Sequence, residues 1–137
     1  MTTLSALDEL IQAAAAVEPA VARRAGLSTS ELQALRHLVD GSRGPVELSH
    51  LLGVTSAASS GVVDRLAARG HVQRRPHPED GRRTQVEVTA TGREEIDALL
   101  EPMQARLAQV DAALGDEEHA IVQRYLEGVT EALRSVL

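Results

Sequence analysis

Apolar residues in the first part of the chain recur at helical spacing. From Leu4 to Arg24 they follow one another at intervals of three and four residues, which predicts an amphipathic helix. The segment Ser28-Thr29-Ser30-Glu31 fits a capping box, because a hydroxyl residue is followed three positions later by a carboxylate. It predicts the start of a second helix, which the glycines from Gly41 onward would end.

Two shorter helices are predicted next, with a tight turn between them. Pro45 suits the first turn of a third helix, which would end near Gly53. Thr55 is placed to cap a fourth helix that runs to about Arg69 and stops at Gly70. The larger apolar residues of this fourth helix lie in its second half, and its first turns consist of small and polar residues.

The spacing then changes from helical to alternating. Residues 71–75 and 84–88 alternate like half-exposed strands, and the proline- and glycine-containing segment between them is typical of a turn. After Thr89 an apolar stripe at helical spacing extends to Leu114, and Pro102 should kink this helix or mark a bend. A last amphipathic helix begins at the acids that follow Gly115. The predicted fold class is mainly α with a small β-hairpin.

Composition narrows the chemistry that is open to the chain. It contains no cysteine, which excludes disulfides, thiolate metal sites and cysteine nucleophiles. Tyr125 is its only Phe, Trp or Tyr residue, which argues against stacking of single-stranded nucleic acid. Neither a membrane span nor a signal-peptide pattern is present, so we expect a cytoplasmic protein that binds no membrane. No catalytic constellation or phosphate-binding loop has supporting spacing, and we expect neither an enzyme nor a cofactor.

The net charge of −6 conceals two populations of charged residues. Between Gly53 and Val86 lie six arginines and three acids, whereas the rest of the chain carries eight arginines and seventeen acids. The net charge of this segment, the basic window, is therefore +3, and the net charge of the rest of the chain is −9. A basic region in an otherwise acidic chain indicates a negatively charged partner.

The order of the predicted elements indicates which structural motif contains the basic region. Two short helices joined by Gly53-Val54-Thr55, the second beginning with short side chains, are what a helix-turn-helix requires. A basic hairpin directly after it forms a wing, whose arginines can contact phosphates or the minor groove. The long terminal helices carry apolar stripes that a chain of this size cannot cover with its own core, which predicts packing against a second copy.

The wing sequence resembles that of a known family. Asp80-Gly81-Arg82-Arg83-Thr84-Gln85-Val86-Glu87-Val88-Thr89 is similar to the signature D-x-R-x-x-x-V-x-L-T of the MarR family of transcriptional regulators, from which only Val88 departs. Upstream, Gly53-Val54-Thr55 and the segment from Val62 to Gly70 resemble the recognition helix of that family and its end. The order and length of the helices also match, so the resemblance covers nearly the whole chain.

The resemblance implies a winged helix-turn-helix homodimer that binds a palindromic operator in double-stranded DNA, most often as a repressor. It implies three parts: an N-terminal dimerisation helix (1–27), the DNA-binding domain (28–90) and C-terminal dimerisation helices (91–137). The Arg matching Arg82 reaches into the minor groove, the Asp matching Asp80 shapes the wing, and the Asp matching Asp64 can pair with that Arg. Further candidate DNA contacts are Ser56, Ala57, Ser60, Arg65, Arg74 and Arg83.

One departure from the family concerns the face of the recognition helix. Gly61 stands where many relatives carry a longer polar or basic side chain, so direct contact with bases is expected to be sparse. This leaves two alternatives open: a winged-helix module that binds proteins, and a regulator that senses a metal or ligand. His37 and Tyr125 are candidates for an effector pocket, although Tyr125 is first expected in the dimer core. His71 and His77 are predicted to be surface residues, and no histidine spacing supports a metal site.

Overall fold

A computed structural model describes all 137 residues. Six helices and a two-stranded sheet follow one another: α1 (Thr3–Ala25), α2 (Thr29–Val39), α3 (Pro45–Leu52), α4 (Ser56–Ala68), β1 (Val72–Pro76), β2 (Thr84–Val88), α5 (Ala90–Ala112) and α6 (Asp116–Arg134). The mainly α fold with one hairpin confirms the predicted fold class. None of the six helices combines the length and the hydropathy that a membrane-spanning segment needs.

The helix ends lie where local sequence signals predict them, with one exception. The Thr55 side chain caps α4 by accepting a hydrogen bond from the backbone N–H of Ala58. Ser28 caps α2 in the same way through the N–H of Glu31 at 3.1 Å. The predicted capping box at this helix is wrong in its second half, because the carboxylate of Glu31 does not return to Ser28. It pairs with Arg65 instead.

The hairpin is antiparallel, with Val72 opposite Val88 and Arg74 opposite Val86. A third backbone segment, which the sequence patterns did not reveal, joins it at Arg43. The N–H of Arg43 donates to the carbonyl of Val86 at 3.0 Å, and the N–H of Val86 donates back at 2.8 Å. This bridge connects the segment between α2 and α3 to the base of the wing.

The chain forms two compact units, Met1–Leu100 and Glu101–Leu137. All buried apolar side chains belong to the first unit: Ala22, Leu27, Leu32, Ala34, Leu35, Leu38, Leu48, Val62, Val63, Leu66, Val72, Val86 and Ile96. The C-terminal end of α1 therefore packs into this core, whereas Leu4 and Leu10 near its start are exposed. The three-part division implied by the family resemblance stays a prediction.

The second unit contains the end of α5, the turn at Gly115 and α6. None of its side chains is buried. Pro102 lies inside α5, which continues through it to Ala112. The carboxylate of Glu118 accepts a hydrogen bond from the N–H of Gly115 at 3.0 Å, and the predicted acids occupy the first turn of α6.

Candidate nucleic-acid interface

The turn between α3 and α4 is built by three residues. Gly53 has φ 66°, a left-handed conformation that glycine adopts without steric cost, and it ends α3. The N–H of Val54 donates to the carbonyl of Ser49, and Thr55 begins α4. Helix α4 buries Val62 and Leu66 against the core. The predicted contact residues Ser56, Ala57 and Ser60 are exposed on α4.

Arg65 lies further along α4 and does not extend freely into solvent. Its Nε donates to Oε1 of Glu31 at 3.2 Å. The side chain of Glu31 is only 9% exposed, whereas that of Arg65 is 57% exposed. The sequence placed Glu31 in a capping box and missed this pairing, because the two residues are 34 positions apart and no local pattern connects them.

Asp64 connects α4 to the first strand of the wing. Its Oδ1 accepts a hydrogen bond from Nη2 of Arg74 at 2.6 Å. The pairing with Arg82 that the family resemblance implied is wrong for this structure. Arg74 is on β1, which directly follows α4, whereas Arg82 lies at the tip of the wing and pairs with Asp80 there. The candidate contact Arg74 is thus already neutralised within the chain.

The tip of the wing is held together by its own polar groups. Oδ1 of Asp80 accepts from the backbone N–H of Arg82 at 3.1 Å and lies 3.4 Å from its Nε. Nδ1 of His77 accepts from the N–H groups of Glu79 and Asp80, so His77 is part of the turn rather than a freely exposed residue. These bonds present the Arg82 side chain to solvent, where it is 94% exposed. Arg83 is also exposed, and its side chain has no hydrogen-bond or ion-pair partner.

Two other basic residues of the window have structural roles. Arg75 pairs with Glu87 across the hairpin at 2.6 Å. The side chain of Arg69 donates to the carbonyl of Gly26, the residue that ends α1. This contact places a cation at the C-terminal end of α1, where the helix dipole favours positive charge.

His71 contradicts the prediction of a surface residue. It is buried, and its Nε2 lies 2.5 Å from Oε2 of Glu95 on α5. Its backbone explains this position, because the N–H of His71 donates to the carbonyl of Leu66 and its carbonyl accepts from Thr89. The ring therefore lies where α4 ends and α5 begins.

Thr89, the last residue of the wing motif, joins the same region. Its hydroxyl donates to the carbonyl of Gly70 at 2.6 Å and accepts from the N–H of Gly92 at 3.1 Å. One side chain thus caps the first turn of α5 and fixes it to the end of the turn after α4.

The two candidate effector residues lie in different units. His37 is half-buried on α2 of the first unit, and Tyr125 is 37% exposed on α6 of the second. The effector pocket that would involve them stays a prediction. No group of three or more histidine, aspartate or glutamate side chains is arranged to hold a metal ion.

Comparisons with known proteins agree with this architecture. A MarR family model matches residues 25–83. The HTH-type transcriptional repressor YetL of Bacillus subtilis is 32% identical over 79% of this chain and 66% of its own length, so the chain spans about two thirds of that relative. An uncharacterized HTH-type transcriptional regulator of Mycobacterium bovis is 35% identical over 71% of this chain and 68% of its own.

Solved structures extend the likeness to nearly the full length. The crystal structure of a MarR-like transcriptional regulator from Thermotoga maritima has a TM-score of 0.73 at 25% identity and covers 98% of both chains. Winged helix-turn-helix geometry, wing motif and relatives lead to one conclusion. The chain belongs to the MarR family of transcriptional regulators.

Proposed function

We propose that this MarR-family regulator acts as a homodimer that binds a palindromic operator in double-stranded DNA. Helix α4 lies in the major groove with Ser56, Ala57 and Ser60 towards the bases, and the wing follows the neighbouring backbone. Membership of a family of transcriptional regulators makes the chain a regulator and not an enzyme.

The observation that carries the proposal is the exposed Arg82 at the tip of the wing. Asp80 fixes the backbone of Arg82 and contacts its Nε, so the guanidinium is presented outward on a defined turn. A wing arginine in this position can enter the minor groove, where the negative potential is enhanced. Arg83 beside it is exposed and has no ion-pair partner, so it provides a free cation for the phosphates.

The homodimer is supported by apolar side chains that neither unit covers by itself. In the first unit Leu4 and Leu10 are exposed on α1, and in the second Leu107, Ile121 and Leu126 are exposed on α5 and α6. Apolar residues at helical spacing of this kind are buried when helices of two chains pack together. A symmetric dimer would present two α4 helices to half-sites about one DNA turn, ~34–36 Å, apart.

Repression is the proposed outcome of binding, since the relative YetL is named a transcriptional repressor. An effector bound to the dimer would change the spacing of the two α4 helices and weaken operator binding. The regulator is expected in the cytoplasm, where the DNA is.

The test is a gel-shift titration with a duplex selected by the wild-type chain from a random pool. Arg82→Ala should weaken binding by more than about tenfold, because a desolvated arginine contact is lost. Arg36→Ala is the matched control: it also removes one exposed arginine, but one that pairs with Glu18 on α1. Equal affinity of Arg82→Ala and wild type would contradict the assignment.

Salt dependence separates DNA binding from the alternative, a winged module that binds proteins. The affinity for duplex should fall steeply as salt rises, with a slope set by the number of phosphate contacts. A chain that selects no duplex at low salt would contradict the proposed function and favour the alternative.

A further inference from the structure

We propose that Glu31 is a positioning residue that holds the guanidinium of Arg65 over Gly61, so that Arg65 contacts a guanine in the major groove. The proposal deepens the DNA-binding function proposed above and rests on it. It assigns a base-contacting role to Arg65, and to Glu31 a role that its place in the sequence did not indicate.

The first step is the geometry of the ion pair. Glu31 uses Oε1 to accept from Nε of Arg65 at 3.2 Å, and its side chain is almost fully buried between α2 and α4. The pairing occupies Nε alone. Neither Nη1 nor Nη2 of Arg65 donates to any group of the chain. The outer edge of the guanidinium is the edge that forms paired hydrogen bonds, and it is left free.

The second step is the space over Gly61. A Cβ atom built on Gly61 would lie 3.4 Å from Nη1 of Arg65, so the guanidinium folds back along α4 by one turn. A longer side chain at this position would occupy the same space. Ala57, Gly61 and Arg65 are spaced four residues apart and form one row along α4, in which Arg65 is the only long side chain. The glycine that appeared to weaken base contact is where an arginine is accommodated.

The third step concerns the cost of ordering. A free arginine side chain loses conformational entropy about several rotatable bonds when it binds. Arg65 loses less, because a buried carboxylate already restrains it. The pair of N–H groups that remains matches the O6 and N7 acceptors of guanine, the commonest specific arginine contact. Because Glu31 also lowers the net positive charge near the DNA, its benefit is to orientation and not to general attraction.

The negative charge of Glu31 makes the positioning role distinguishable from a purely electrostatic effect on DNA affinity. Removing a carboxylate near the interface should by itself raise the affinity for every duplex. If Glu31 positions Arg65, its removal must instead reduce the preference for the selected operator over a duplex in which one guanine per half-site is replaced.

The experiment measures this preference for wild type, Arg65→Ala, Glu31→Ala and Glu31→Gln, using the selected duplex and a series with single base-pair replacements. Glu18→Ala is the matched control. It breaks a second arginine–glutamate pair between helices, Glu18 with Arg36, which has the same 3.2 Å separation and an arginine of similar exposure, 60%. Thermal unfolding of each variant shows that it is folded, and Glu31→Gln keeps the size of the buried side chain.

The expected result is a loss of discrimination on the order of tenfold for Arg65→Ala at one guanine per half-site. In Glu31→Ala the discrimination at the same base pair should fall several-fold, and in Glu31→Gln it should fall less. In Glu18→Ala the discrimination should not change. Unchanged discrimination in Glu31→Ala would overturn the positioning role. If Arg65→Ala weakened all duplexes equally and reduced the salt slope by about one, Arg65 would contact a phosphate and the guanine contact would be overturned. Failure of the wild-type chain to select any duplex contradicts the proposed function itself.

Discussion

The two compact units of the chain differ in how their apolar residues are used. Residues Met1–Leu100 bury a continuous core, which includes Leu35 and Leu66, whereas Glu101–Leu137 contains no buried side chain at all. Both units are largely helical, so helicity alone does not indicate a core. The first unit has the contacts that specify a fold within one chain, and the apolar residues of the second unit have no such contacts within it.

The proposed DNA contacts all lie on the unit that has a buried core. Every candidate, from Ser56 on α4 to Arg83 on the wing, lies in the first unit, where buried neighbours fix the backbone that carries it. The second unit contributes an amphipathic α6 with exposed residues such as Ile121 and Leu126. The proposed DNA contacts thus lie on the unit that has a buried core, whereas exposed apolar side chains lie on α6 and also at the start of α1, where Leu4 and Leu10 are exposed.

The largest expected effect is on the core of the first unit. Leu66→Ala removes a fully buried side chain from the face of α4 that packs inward, and should lower the free energy of unfolding by about 2–5 kcal/mol. Val46→Ala is the control, because Val46 is exposed on α3 and its loss should change stability by less than about 0.5 kcal/mol. Urea unfolding followed by circular dichroism measures both. Similar values for the two variants would remove the contrast between buried and exposed positions on which the comparison depends.

Leu126→Glu tests whether the second unit depends on a partner chain. Leu126 is exposed on α6, so a charge there costs little within one chain but would be buried in a dimer. We expect the dimer dissociation constant to rise by at least about thirtyfold, as at an interface hot spot. Sedimentation equilibrium measures the change. The control is Gln123→Glu, which adds a charge at another site on α6. A Leu126→Glu chain that dimerises as tightly as wild type would exclude this face of α6 from the interface.

Gly92→Ala tests how closely the elements of the first unit approach one another. A Cβ at Gly92 on α5 would lie 2.3 Å from the carbonyl oxygen of His71, which is backbone and cannot rotate away. We expect a loss of about 1–3 kcal/mol in the free energy of unfolding, and more if the shift also breaks the pair between His71 and Glu95. Gly41→Ala is the control, because nothing lies within 4 Å of that position. Equal stability of the two variants would contradict the close packing of α5 on the backbone of His71, the residue before β1.

Local signals in the sequence predicted much of the fold and little of the pairing between distant residues. Thr55, Pro45 and Gly53 mark helix ends through contacts within a few residues, and the structure confirms them. The bridge between Arg43 and Val86 connects residues 43 positions apart, and alternation along one strand cannot indicate it. These helix ends could be predicted because their signals are local, whereas a bridge that closes a long loop leaves no local signal.

For the charged residues of the site, the sequence likewise predicted which residues are present but not which residues they pair with. The sequence identified the arginines of the wing, but it could not tell which of them the chain itself neutralises. Arg74 and Arg75 pair with Asp64 and Glu87, whereas Arg82 stays exposed although it contacts Asp80. The burial of His71 was also missed, because a histidine in an alternating segment has no pattern that distinguishes a buried ring from an exposed one.

The smallest expected effect is at Gly128, in the middle of α6 in the second unit. No atom lies within 4 Å of a Cβ built there, in contrast to Gly92. Alanine reduces the entropy that the unfolded chain loses, so Gly128→Ala should raise the free energy of unfolding by about 0.5–1 kcal/mol. Urea unfolding measures the change in the free energy of unfolding. Repeating it at a second protein concentration shows whether the change depends on dimerisation. A loss of stability instead would mean that a second copy approaches α6 at Gly128, and the second unit would then be packed as closely as the first, but between chains.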